Sequence, residues 1–233
     1  MAAIARFYRR LIASNRSPTL LTTGTGPSIC CCVICWSKRV EADWSVELGE
    51  GLPEIVIPWS GEGLQWVDLR ATHADCKAAV SDLALAEARA PLAEALNALN
   101  AERSPWLTSK CDAWLIDGED EALDPYELDA ADLAATGSPL HGCASYLDLL
   151  ARGAETFCDF KKQEALLCAL AQALREVPLP HARIDLVLRG ARMHQQEGFG
   201  MTAYVTGCGL DAAAALQAWQ GALAAMTHAL LNC

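Results

Sequence analysis

Residues 183–206 read RIDLVLRGARMHQQEGFGMTAYVT, and the reading of this stretch decides the fold. Ile184, Leu186 and Leu188 alternate with Asp185 and Arg189, the period of two that a strand shows when one face lies in a core. Residues 199–206 form a second strand, and His194-Gln-Gln-Glu-Gly198 is short enough to join the pair as an antiparallel hairpin. Asp211 then stands where a helix N-cap belongs, ahead of the stripe Leu216, Trp219, Leu223, Met226 and Leu230 at alternate steps of three and four. Such a stripe is a core face and not a cofactor box. Antiparallel strands followed by an amphipathic helix predict an α+β fold, a mixed and largely antiparallel sheet with the helices on one face.

Working outward, residues 143–150 and 110–117 read as further strands, and residues 160–177 as a helix burying Leu167, Leu170, Leu174 and Val177. Residues 74–89 are helical in pattern, and Pro91 is placed as a first-turn residue of another helix through Leu92, Leu96 and Leu99. From Ala42 the period is again two. Trp44, Val46 and Leu48, then Ile55, Ile57 and Trp59, then residues 64–70 are separated by short turns, which predicts an antiparallel meander. An internal echo links Trp66-Val-Asp-Leu69 with Tyr146-Leu-Asp-Leu149 and the helix ends at Leu99 and Leu174. On that echo the chain reads as two degenerate strand-helix-strand units.

Charge divides the chain at residue 41. Residues 1–40 hold six basic residues and no acid, whereas residues 41–233 hold 12 basic and 29 acidic residues, a formal charge of −17. The first 40 residues are expected to be a flexible basic extension outside the fold, and residues 41–233 a single domain. A body at −17 repels phosphate backbones and anionic lipid, so nucleic acid is excluded as its partner. No uninterrupted apolar run of about 20 residues is present, so no membrane span is expected. Residues 117–141, rich in Asp and Glu with Pro125 and Pro139, read as a solvated acidic connector whose spacing fits no EF-hand loop. The irregular, odd-numbered cysteines of the body point to buried reduced thiols and the cytoplasm; the acid-free, Ser/Thr-rich start has the composition of a transit peptide, making an organelle the alternative.

Chemistry-bearing motifs are sparse. Cys32 and Cys35 have metal-pair spacing, but a zinc site needs four ligands and no second pair follows. The histidines lie far apart, and neither Cys111 nor Cys143 can be assigned an imidazole partner from sequence. The nucleophile-elbow, phosphate-loop and zinc-helix patterns are absent, so no cofactor or metal is implied, and the reading leans away from an enzyme. What stands out is a face. Strand alternation places Trp66 with Asp68, Trp114 with Asp112, and Tyr146 with Asp148, and turns Asp185 to the same side. Rings beside carboxylates bind cationic or sugar-like ligands; they also stabilise an exposed or oligomer-covered sheet face through cross-strand pairs. The expected function is a non-enzymatic module that binds a small ligand or protein partner, or assembles as a homo-oligomer, through this aromatic and acidic face. The alternative is a metal-assisted hydrolase built on Asp68, Asp112, Asp148 and Asp185.

Overall fold

The computed structural model describes residues 38–51, 53–61, 64–71, 75–116 and 123–233. Residues 1–37, His73 and the acidic run 117–122 lie outside the described residues. In chain order come β1 (Glu41–Glu47), β2 (Ile55–Ile57), β3 (Ser60–Gly61), β4 (Leu64–Gln65), α1 (Cys76–Ala79), α2 (Arg89–Leu99) and β5 (Trp106–Ile116). Then follow α3 (Ala131–Ala134), β6 (His141–Ala151), α4 (Ala154–Phe157), α5 (Phe160–Arg175), β7 (Ala182–Met193), β8 (Gln196–Gly209) and α6 (Ala212–Asn232).

The sheet is mixed, in the order β1-β7-β8-β6-β5. Its centre is the hairpin β7–β8, closed by His194 and Gln195 alone, with Met193 opposite Gln196 and Asp185 opposite Tyr204. His194 takes the left-handed conformation at φ 58° that so tight a reversal requires. All pairs except those made by β1 and β2 are antiparallel.

The long helices α2, α5 and α6 cover one face, whereas the one-turn helices α3 and α4 pack on the other, in the apolar clusters around Leu128 and Phe157, so the expectation of helices on one face holds for the long ones. α5 and α6 rest on the sheet through Leu167, Leu170, Leu174, Trp219, Leu223 and Met226, packed against Leu147, Leu149, Leu186 and Val205 of the strands. Asp159 and Asp211 cap them as short acceptors should: Asp159 Oδ1 accepts from Lys161 N at 2.9 Å, and Asp211 Oδ1 from Ala214 N at 2.8 Å. No helix among the described residues is long and apolar enough to cross a membrane.

Four local expectations are corrected. The antiparallel meander does not form as a three-stranded unit: β1 and β2 lie end to end along one edge of β7, both parallel to it, while its last turn survives as the short antiparallel pair β3–β4. β7 is twelve residues long and β1 occupies seven of them, so the chain continues along the same edge, with Glu54 N donating to Gly190 O at 3.0 Å. The third strand of that meander ends at Gln65, because Asp68 bends the chain by accepting from Arg70 N at 3.0 Å. Trp66–Leu69 therefore carries no strand, and the likeness between the two supposed units stops short of it. The helix expected over 74–89 shortens to α1 and a separate 3₁₀ turn, Ala86–Ala88; Ser81 Oγ donates back to Ala78 O at 2.8 Å where α1 ends.

The acidic connector is only partly solvated, since Leu123, Leu128, Ala130 and Leu140 form a small core with Ile116, Ala144 and Cys208. The described fold also begins before residue 41: Val40 is 2% exposed and its N–H donates to Val177 O at 3.0 Å.

Candidate functional site

The sheet face opposite the long helices is polar in its middle and apolar at both ends. At one end sits the small core around Ile116 and Leu128; at the other, Ile55, Ile57, Leu107, Leu150 and Phe157 form a second cap. Between them a register row runs across all five strands: Asp112, Tyr146, Tyr204, Asp185, Asp43. Side chains at paired positions share a face, so this row stands on the side away from the long helices, with Tyr204 buried and the other four half-buried.

Five of the seven expected site residues, Asp112, Trp114, Tyr146, Asp148 and Asp185, stand on this face. Two are carried by no strand. Trp66 packs against the cap formed by Ile55 and Phe157, and Asp68 is held in its own turn with Arg70. Both corrections have one cause, the early end of β4.

Three rings form a ladder across β5, β6 and β8. Trp114 and Tyr146 have centroids 6.5 Å apart, and Tyr146 and Tyr204 6.3 Å, both tilted. Tyr204 belongs to the site and is absent from the sequence reading. Its signal was the hairpin turn: a loop of two residues instead of five sets Tyr204 opposite Asp185.

The acids differ in what holds them. Asp185 is gripped by Arg183, whose Nε and Nη2 both donate to it at 2.8 Å, and Arg183 also lies 3.7 Å from Glu127. Arg189, 4% exposed, pairs with Glu47 at 3.1 Å and with Glu54, and donates to Tyr204 Oη at 3.4 Å. Both arginines are thus engaged by acids other than Asp112 and Asp148. Among the described residues neither Asp112 nor Asp148 has an ion-pair partner within 4 Å. Asp112 Oδ1 accepts, among the described residues, from the next peptide, Ala113 N, at 2.8 Å.

Asp148 is 7% exposed and accepts from Thr202 Oγ1 at 2.7 Å. Burial pushes its carboxyl up to about 6, against the Thr202 bond and the positive field of Arg189 and Lys110. Burial, reinforced by Asp148 and Asp112, likewise raises the Tyr146 phenol. Opposite Asp148, β5 bulges between Thr108 and Cys111, and Lys110 stands over the Trp59 ring at 5.4 Å.

What the arrangement can do chemically is narrow. Burial holds the Cys111 and Cys143 thiols at about 12, so neither carries a thiolate at neutral pH. Among the described residues no three His, Cys, Asp or Glu side chains gather where they share a metal ion, so Asp68, Asp112, Asp148 and Asp185 do not make the expected carboxylate cluster. What is left is a strip of rings and unpaired carboxylates, suited to holding positive charge. Comparison of the chain with protein-family models, with curated proteins and with solved structures finds no match.

Proposed function

We propose that the protein is a non-enzymatic binding module whose open sheet face takes a cationic ligand, carried by a protein partner or a small molecule. The observation that carries this reading is the half-buried pair of rings Trp114 and Tyr146 beside Asp112, a carboxylate with no ion-pair partner among the described residues, with Tyr204 and Asp148 buried behind them. A guanidinium or ammonium over a ring gains about 0.5 to 2 kcal/mol, and a charge-assisted hydrogen bond to a carboxylate adds to it. Neutralising the site's charge at binding also suits a body whose acids outnumber its bases. The cytoplasm is the compartment proposed, supported by seven described cysteines that are all free thiols.

Triarginine amide is the probe. Its titration, followed by tryptophan fluorescence, is expected to saturate on the parent protein and to weaken about tenfold in Trp114→Ala and in Asp112→Asn. Trp66→Ala, outside the ladder, is the control expected to bind as the parent does. Equal affinity in all four proteins, or no saturation in the parent, overturns the reading.

A further inference from the structure

β5 is the last strand of the sheet, and among the described residues nothing pairs with its outer edge beyond Ser109. At Ser109 the edge is closed, because Trp59 Nε1 donates to Ser109 O at 3.1 Å. Beyond it the Ala113 N–H goes to the Asp112 carboxylate instead of to β6. In an antiparallel ladder inward and outward residues alternate, so Cys111, Ala113 and Leu115 direct their main-chain groups outward. A row of spare donors and acceptors of this kind is a template for another strand.

A groove of about 950 Å³ runs along this edge. Its two flanks differ in chemistry. On one side stand Trp59 with Lys110 over its ring, Asp112 and Trp114; on the helix side stand Leu69, Leu83 and Leu85 next to Asp82. Val67 and Leu115, which also line it, are 55% and 49% exposed and extend the apolar flank to the surface.

We propose that the β5 edge takes an extended segment of a protein partner by strand addition, and that the segment alternates basic and apolar residues. The alternation follows from the two flanks: successive side chains of a strand point to opposite faces, so one set meets Asp112 and Trp114 while the other enters among the leucines. Charge complementarity selects the basic set at Asp112, which has no ion-pair partner among the described residues, while Lys110 is turned onto the Trp59 ring and the groove's charged lining, Asp82, Asp112 and Lys110, is acidic on balance. The incoming main chain takes the Ala113 N–H and releases Asp112 Oδ1 to a basic side chain. A second copy of β5 fits less well, because it brings its own segments 59–61 and 78–85 against the same flanks. The basic half of this pattern rests on the cationic reading of the face; the strand addition rests on the β5 main chain.

The test uses the peptide Thr-Arg-Leu-Arg-Val-Arg-Thr, acetylated and amidated, and two isomers N-methylated on alternate residues. Strand addition uses one edge of the peptide. The parent peptide is expected to bind, one isomer to bind at least tenfold more weakly, and the other to bind like the parent. Equal behaviour of the two isomers, or no binding by the parent peptide, overturns strand addition. Triarginine amide is read alongside: if it still binds and depends on Asp112 while the isomers behave alike, the cationic face stands and the edge site falls.

Discussion

Asp148 sits in β6 between Leu147 and Leu149, both fully buried on the helix side, so alternation alone turns its carboxylate to the open face. What alternation does not reveal is its burial, because the neighbours that enclose it come from other strands, Thr202 directly opposite on β8 and Lys110 from the bulge in β5. The energetic consequence has a definite sign. A carboxyl at about 6, against 3.8 in the unfolded chain, binds a proton in the folded state that the unfolded state has already released. Stability therefore falls as pH rises from about 4 to about 6 and stays lower above it, by about 3 kcal/mol for a shift of this size. Asp148→Asn keeps an oxygen for Thr202 Oγ1 and removes the charge, so it is expected to stabilise the protein by roughly 2 kcal/mol at pH 8 and by little at pH 4. Urea midpoints at the two pH values check this; an equal change at both refutes it. The same residue links binding to pH. A cation favours the ionised form, so triarginine amide is expected to bind more tightly at pH 7 than at pH 5, and this difference is expected to vanish in Asp148→Asn.

At the scale of elements, the strands and the two long helices were legible because each buries one face and shows its period: Leu167, Leu170 and Leu174 in α5, and Trp219, Leu223 and Met226 in α6, are buried as the stripes predict. Lengths and turns were less legible. The glycines of 190–200 look like loop residues in sequence, yet β7 runs on to Met193 and β8 starts at Gln196, so two residues turn the chain where five were expected. That difference moved Tyr204 out of view. Gly207 shows why such residues are glycine for packing reasons: a Cβ there would lie 2.2 Å from Trp219 N and 2.8 Å from Ala215 O, inside the backbone of α6. The close approach lets Trp219 reach under the helix and donate from Nε1 to Ser145 Oγ at 2.9 Å. Gly207→Ala must push α6 off the sheet and break that bond, and is expected to destabilise by about 3 kcal/mol or more. Ala203→Gly, on the same strand, removes a side chain without obstructing the helix and serves as comparison; chemical denaturation that finds Gly207→Ala no worse refutes the packing argument.

At the scale of the molecule, the fold class was legible from composition and period, whereas strand order was not. Nothing local in residues 41–47 announces that they pair with residues 183–189, parallel and more than 130 residues away; that choice is made by the exposed edge of β7 and by the fit of Ala42 and Trp44 beneath α5. The charge step at residue 41 reports where acids begin and not where burial begins. Val40 is buried, Lys38 Nζ donates to Asp129 O at 2.8 Å and pairs with Asp132, and Arg39 pairs with Glu176. Lys38 thereby ties the residues leading into β1 to the segment that roofs one end of the open face, and with His181 it holds the Asp132 carboxyl down at about 2. Of these contacts the exposed pairs contribute little, about 0 to 1 kcal/mol each, while burying a valine contributes about 1.5 to 3 kcal/mol. A chain beginning at Glu41 is therefore expected to lose about 2 kcal/mol relative to one beginning at Lys38, nearly all of which Val40→Ala in the longer chain reproduces. Urea midpoints of the three proteins decide it, since coincidence of the two truncated chains would return the boundary to the charge step.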